Sequence, residues 1–179
     1  MAIDLAGAIW KDEGEPFSPV VVYVAPNEAG GHLRERAAKL AAGKDNAWRK
    51  NIRIFHTGNF ARMHRNFREG APDVVIIDDL DLMRLSDGEP RKNIWHVSML
   101  GDAVSEMAKT TGAAVIAAGL FPDAAILREL EYRFDAAIQL FQRPHLKGTH
   151  FLRSTKNRFG GLEEAMLRKT AGGFETVES

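Results

Sequence analysis

Short apolar runs alternate along this chain with segments whose apolar residues recur at helical spacing. Continuous runs rich in β-branched residues are typical of strands covered on both faces, and they occur at PVVVYVAP, NIRIFHTG, DVVIIDD and AAVIAAG. Apolar residues three or four positions apart predict amphipathic helices, and they occur in HLRERAAKLAAG, in NFARMHRNFREG and at Val97, Leu100, Val104 and Met107. This alternation predicts an α/β fold with a mostly parallel sheet flanked by helices.

The last third of the chain has a different pattern. It contains three further predicted strands, FDAAIQLFQ, THFLRSTKN and EAMLRKT, and the connections QRPHLKG and RFGGLE are too short for crossover helices. We therefore expect antiparallel strands at the C-terminal edge of the sheet. The polar stretch KDEGEP is expected to be a loop. With no linker or repeat in sight, we expect a single domain over residues 1–179.

The composition of the chain limits where the protein can act and what it can bind. The chain has 24 basic and 24 acidic residues, so its net charge of +0 recruits neither nucleic acid nor membrane by itself. It has no cysteine, which excludes disulfides, thiolate catalysis and Cys-ligated zinc. No apolar run approaches the roughly 20 residues of a membrane span. We predict a cytoplasmic protein without a membrane partner.

The segment VVIIDDL, Val74–Leu80, is an apolar run that ends in two carboxylates. As a buried strand, it would deliver Asp78, with Asp79 beside it, to the carboxyl edge of the sheet, where open α/β folds bind ligands. There Asp78 would hold Mg²⁺ directly or through water, next to nucleotide phosphates. The alternative is that the aspartate caps the following loop or helix.

The stretch LRSTKNRFGG gathers three cations, Arg153, Lys156 and Arg158, around a Gly-rich bend. A basic cluster of this kind is often no more than the solvated surface of a hairpin. The alternative is a site for a negatively charged group.

With KNRFG at Lys156–Gly160 and this order of strands and helices, the chain resembles the RecA-type ATPase core, above all the RadA/Sms repair proteins and the DnaB-type replicative helicases. The resemblance covers Met1 to about Val177, and YVAPNEAGGHLRERAAKL is similar to the segment after the second strand in RadA proteins. It implies a RecA-like fold, ATP and Mg²⁺ as cofactors, and a homo- or hetero-oligomer. It also implies that Lys156 and Arg158 project into the nucleotide site of a neighbouring subunit, where they would stabilise charge on the transferring phosphoryl group.

The chain departs from the family at its catalytic positions. RadA and DnaB proteins carry a catalytic Glu just beyond their second strand, which corresponds to PVVVYVAP in this chain. The matching residue here is Asn27, so Glu28 would act as the catalytic base only after a shift of one residue. A polar residue that senses the γ-phosphate is replaced by Gly119, Leu120 and Phe121. No segment reads G-x-x-x-x-G-K-[ST], and MAIDLAGAI resembles the helix that follows that motif. The expectation is a core that starts just after the phosphate-binding loop and does not hydrolyse ATP alone.

In RecA-type rings the loops after the third and fourth strands of this order face single-stranded nucleic acid. The matching segments here are LMRLSDGEPRKN, with Arg84, Arg91 and Lys92, and LFPDAAILREL, with Phe121 and Arg128. These cations would neutralise phosphates, and single-stranded DNA is a candidate partner. His56, His64, His96, His145 and His150 lack the spacing of a zinc site.

Two other readings of the sequence stay open. The same fold could serve as a scaffold that binds a protein partner without nucleotide chemistry. An unrelated α/β enzyme could gather Glu28, Asp78 and Asp79 in its active site.

Overall fold

The computed structural model describes residues 10–12, 15–17, 19–40, 48–88, 93–121, 123–146, 148–170 and 173–177. The predicted helix MAIDLAGAI and the candidate DNA-contact residues Arg91 and Lys92 lie outside these ranges. The chain divides into two compact units, Met1–Leu127 and Arg128–Ser179. The single domain over residues 1–179 stays a prediction.

The first unit contains a parallel sheet and its helices. Its elements are β1 Trp10–Asp12, β2 Glu15–Phe17, β3 Val21–Val24, α1 Gly30–Leu40, α2 Trp48–Asn51, β4 Ile52–Phe55, α3 Phe60–Arg65, β5 Val74–Asp78, α4 Ile94–Thr111 and β6 Ala114–Ala118. Short 3₁₀ turns follow α3 and β5, at Asn66–Glu69 and Leu80–Leu82.

Four strands form the sheet in the order β4-β3-β5-β6, and every pair is parallel. Strand β3 pairs with β4 and β5, and β5 pairs with β3 and β6, so β3 and β5 occupy the centre. Their apolar runs are buried on both faces, with Val24 and Ile77 fully inaccessible to solvent. The predicted mostly parallel sheet flanked by helices is confirmed.

Helix α4 packs through the apolar residues that the sequence singles out. Val97, Leu100, Val104 and Met107 are all buried. At its start the Asn93 side chain accepts a hydrogen bond from the backbone N–H of His96, 2.6 Å away. At its end Gly112 has a φ of 72°, the left-handed conformation that glycine adopts without strain.

One local expectation is wrong, and another needs a correction. The sequence predicts a loop at KDEGEP, but β1 and β2 pair antiparallel there, with Trp10 opposite Phe17. The sequence also places LFPDAAILREL among the loops that face nucleic acid; from Ala124 onward this segment belongs to helix α5, Ala124–Arg133, and its contact with nucleic acid stays a prediction. Asp123 starts this helix, since its Oδ1 accepts a hydrogen bond from the backbone N–H of Ala125, 2.7 Å away.

The second unit contains an antiparallel sheet. Its strands are β7 Ala136–Phe141, β8 Thr149–Asn157, β9 Glu164–Thr170 and β10 Gly173–Thr176, hydrogen-bonded in the order β10-β9-β8-β7. All three pairs are antiparallel, which confirms the predicted pairing of the C-terminal strands. They form a sheet of their own rather than continuing the hydrogen-bonded ladder of the parallel one.

Candidate functional site

The carboxyl edge of the parallel sheet brings acidic side chains together. Because β3 and β5 are neighbours and run in the same direction, the residues that follow them meet at one edge. Glu28 comes four residues after β3, Asp78 is the last residue of β5, and Asp79 follows it through a cis peptide bond. These are the three carboxylates that the sequence points to.

Tyr23 on β3 binds Asp78 across the sheet. The Tyr23 hydroxyl donates a hydrogen bond to Asp78 Oδ2. Burial and this contact raise the pKa of Tyr23 well above its usual range, because a phenolate beside a carboxylate in a partly dry site is unfavourable. Tyr23 is therefore a protonated donor, and it fixes the orientation of the Asp78 carboxylate.

Arg36 of α1 joins this pair to Glu28. Its Nη2 lies 2.7 Å from Glu28 Oε2 and 3.1 Å from the Tyr23 hydroxyl. The ring Nδ1 of His56 also lies 3.1 Å from the Glu28 backbone carbonyl oxygen. Glu28 is thus tied down as the ion-pair partner of Arg36, while Asn27 is exposed.

Asp79 lies close to other carboxylates, and their negative charge affects its protonation. Its pKa is raised, first by burial, then by a hydrogen bond shared with Asp78 and by the charges of Asp78, Asp81 and Glu28. Asp79 therefore retains a proton more readily than an isolated aspartate would. The same negative field favours a cation at this edge.

The candidate DNA-contact residues have different surroundings. Arg84 is half-buried, and its backbone N–H donates to the Gly58 carbonyl oxygen, 2.7 Å away. Its Nε is buried and has no hydrogen-bond partner among the described residues. Arg128 is exposed on helix α5 rather than on a loop. Phe121 is half-buried, and its ring packs so closely on Gly119 that a Cβ there would lie 2.6 Å from it.

In the second unit, Lys156 lies at the end of β8 and reaches the last turn of α5. Its Nζ donates to the backbone carbonyl oxygens of Glu131 and Tyr132. The final carbonyls of a helix have no partners within the helix and carry partial negative charge, so a lysine stabilises them. Lys156 therefore has a structural role in its own chain.

Arg158 pairs with Asp135, the residue just before β7. Its Nη1 lies 2.8 Å from Asp135 Oδ1, and the two side chains are 58% and 59% exposed. The backbone N–H of Arg158 donates to the Asp135 carbonyl oxygen at 2.9 Å, which holds the start of the bend in place. The guanidinium therefore has one partner and a large accessible surface.

Arg153, the third cation of the cluster, binds side chains of the neighbouring strand β7. Arg153 lies over the Phe141 ring, 5.1 Å from its centre, and donates to Gln139 Oε1 at 3.0 Å. Beyond Arg158, the bend presents Phe159, which is 85% exposed. Lys156 and Arg158, the two cations predicted to reach a neighbouring subunit, therefore lie at the end of β8 and just after it, whereas Arg153 lies within the strand.

Sequence reasoning missed Tyr23 and Arg36. Tyr23 is read from the sequence only as part of a strand, and Arg36 only as part of an amphipathic helix. The signal available in the sequence is that Tyr23 carries the one polar side-chain group in the apolar run VVVYV, and a buried tyrosine hydroxyl usually has a hydrogen-bond partner.

No protein-family model matches the sequence, and no curated protein matches it. No helix among the described residues is long and apolar enough to cross a membrane.

Solved structures do resemble the chain. The structure of a DnaB-like replicative helicase with its interactions with primase matches at a TM-score of 0.68 and 19% identity, over 89% of this chain and 52% of that one, so this chain spans about half its length. The RadB recombinase matches at a TM-score of 0.64 and 18% identity, over 89% of this chain and 80% of that one. A KaiC-like protein from the hyperthermophilic archaeon Pyrococcus horikoshii OT3 matches at a TM-score of 0.67 and 17% identity, over 90% of this chain and 77% of that one. Together with the observed strand order, these likenesses show that the chain has the RecA-like fold predicted from its sequence.

Proposed function

We propose that this chain is a RecA-fold subunit that acts in DNA replication, recombination or repair in the cytoplasm. It works in an oligomer, where Lys156 and Arg158 reach a triphosphate that a neighbouring subunit binds. It does not hydrolyse ATP alone. The replication and recombination context is proposed because the similar structures include a replicative helicase and a recombinase.

The observation that carries this proposal is that the guanidinium of Arg158 is exposed and, among the described residues, paired only through a surface ion pair with Asp135. An exposed ion pair such as that with Asp135 contributes only about 0–1 kcal/mol, so it is readily exchanged for another anion. A triphosphate offers a guanidinium several charged oxygens at once, and such charge-assisted bonds are stronger. Lys156, two residues away, gives up hydrogen bonds to neutral carbonyls for a charged partner.

The acidic edge of the first unit is proposed to have a metal-binding role of its own. Asp78 is proposed to hold Mg²⁺ indirectly, through water, beside nucleotide phosphates, with Asp79 next to it in the chain. Glu28 would act as a base only after leaving Arg36, which now neutralises it. Single-stranded DNA remains a proposed partner through Arg84, Arg91, Lys92 and Arg128.

The test is the rate of ATP hydrolysis by a RecA-fold ATPase with an intact phosphate-binding loop from the same cell, with and without this chain. We expect stimulation by the native chain and none by the Arg158→Ala variant. Arg168→Ala is the matched control, because Arg168 is an exposed arginine on β9 of the same sheet. Equal stimulation by both variants would contradict the proposal.

A second candidate is a scaffold that binds a protein partner without a nucleotide. The observation that favours it is that Tyr23 and Arg36 already occupy Asp78 and Glu28. The two functions separate in one titration, in which a fluorescent ATP analogue is added to the chain mixed with that ATPase. If the chain assembles with the ATPase but Lys156→Ala and Arg158→Ala leave nucleotide affinity and turnover unchanged, the scaffold function is the correct one.

A further inference from the structure

A small cavity lies in the first unit, beside the loops that follow β5 and β6. Its volume is about 190 Å³. Most of its wall is apolar and comes from Leu80, Met83, Val97, Leu100, Phe121 and Ile126. The buried His96 completes the wall, and Leu120, which is 80% exposed, lies at the rim.

Two carboxylates, Asp81 and Asp123, are the charged groups among the described lining residues. Each uses one oxygen to hold the loop: Asp81 Oδ1 accepts from the Leu120 N–H at 3.2 Å, and Asp123 Oδ1 accepts from the Ala125 N–H at 2.7 Å. No lysine or arginine is among the described lining residues. Within the described part of the chain, the second oxygen of each carboxylate accepts no hydrogen bond and can therefore meet a ligand.

The size of the cavity limits what it can hold. Sites for drug-sized ligands and cofactors typically measure about 300–1,000 Å³, so this cavity suits a group no larger than an amino-acid side chain. Its two carboxylates repel phosphates, which excludes a nucleotide. A metal ion is also a poor fit, since no three His, Cys, Asp or Glu side chains among the described residues are placed to hold one together.

A ligand that combines an apolar part with a positive charge fits both the apolar wall of the cavity and its two carboxylates. An apolar stem would bury against the methyl groups and the Phe121 ring, and a positive group would meet the half-buried Asp81 and the exposed Asp123 at the mouth of the cavity. Asp81 adds to the negative field that raises the pKa of Asp79, so the surroundings reinforce the preference for a cation. We propose that this cavity binds an organic monocation, an ammonium or guanidinium group on a short apolar stem.

The test uses 2-phenylethylammonium and its neutral analogue, 2-phenylethanol, as probes of the full chain. Their affinities are measured by calorimetry, and the site is located from NMR shifts of the Met83 and Ile126 methyl groups. We expect the ammonium ion to bind at least about tenfold more tightly than the alcohol, and its affinity to fall with salt. Equal affinities, no binding in the millimolar range, or shifts at other methyl groups would overturn the proposal.

Asparagine variants test the charge without breaking the loop. In Asp81→Asn and Asp123→Asn the amide oxygen can still accept the same backbone hydrogen bond, and asparagine is as good a helix cap as aspartate. Each should reduce ammonium affinity several-fold while leaving that of the alcohol unchanged. Asp73→Asn is the control, because it removes one charge at the opposite edge of the sheet, where Asp73 Oδ2 accepts from the Val20 N–H. If Asp73→Asn weakens ammonium binding as much as the other two, the site is wrong.

The cation could come from a free amine or from a protein side chain, and the chemistry is shared. A short peptide with one lysine and its ε-acetylated form separate the two sources. Tighter binding of the lysine peptide than of the free amine, lost on acetylation, identifies a protein partner. The reverse order identifies a small amine.

Discussion

Tyr23 is the residue on which the polar edge of the first unit depends. It donates to Asp78 from the neighbouring strand and accepts from Arg36, which in turn binds Glu28. A chain of donors and acceptors of this kind stabilises each member more than an isolated pair would be stabilised. Arg36 thereby neutralises part of the acidic edge from within the same unit.

Tyr23 is expected to remain protonated at about pH 10, where a tyrosine normally ionises. The chain has two tyrosines, so a Tyr132→Phe variant reports on Tyr23 alone. Its phenolate absorbance should rise only well above that pH, because burial and Asp78 oppose the negative charge. Since the folded pKa exceeds the unfolded one, the stabilisation is complete below about pH 10 and is lost as the pH rises further. Ordinary titration near pH 10 would contradict the hydrogen bond to Asp78.

Lys156 and Arg158 should differ in what they contribute to stability. Lys156→Met removes hydrogen bonds to the last turn of α5 and should lower the free energy of unfolding by about 1 kcal/mol. Arg158→Gln removes an exposed ion pair and should change it by less than about 0.5 kcal/mol. Urea unfolding of both variants checks this. A larger loss for Arg158→Gln would show that the Asp135 pair is not readily exchanged.

At the scale of elements, local sequence signals account for most strands and helices. The β-branched runs of β3 and β5 lie at the centre of the parallel sheet, where burial on both faces requires such runs. β8 and β9 have the bounds that THFLRSTKN and EAMLRKT predict. Helix α5 was missed although its signal is present, because Ile126 and Leu130 are buried at a spacing of four residues behind the Asp123 cap.

Two glycines give a prediction of opposite signs for the same substitution. Gly112→Ala should destabilise the chain by about 1 kcal/mol, because alanine is strained at a φ of 72°. Gly31→Ala lies inside α1 with nothing within 4 Å of the new Cβ, and should stabilise by about 0.4–1 kcal/mol. Thermal unfolding of the two variants decides it. A shift of the unfolding temperature in the same direction for both would mean that the helix boundaries are wrong.

At the scale of the whole molecule, local patterns predicted the alternation of strands and helices, and the resemblance carried by KNRFG predicted the RecA-like fold. Neither predicted the contacts of the candidate site, because Tyr23 and Asp78 are 55 residues apart in the chain and meet only through strand pairing. The sequence predicts that Lys156 reaches a neighbouring subunit, and the structure shows Lys156 bound to the last turn of its own helix α5. No local pattern in the sequence distinguishes these two roles.

The central claim is that Lys156 reaches a triphosphate bound by another subunit. The most direct measurement uses an ATP analogue with an aldehyde on its terminal phosphate, reduction of the resulting imine, and peptide mass spectrometry. We predict that Lys156 is modified when the partner ATPase is present and not when it is absent, while Lys39, whose side chain is 74% exposed, stays at background in both. Modification of Lys156 no greater than that of Lys39, or equal with and without the partner, would contradict the account.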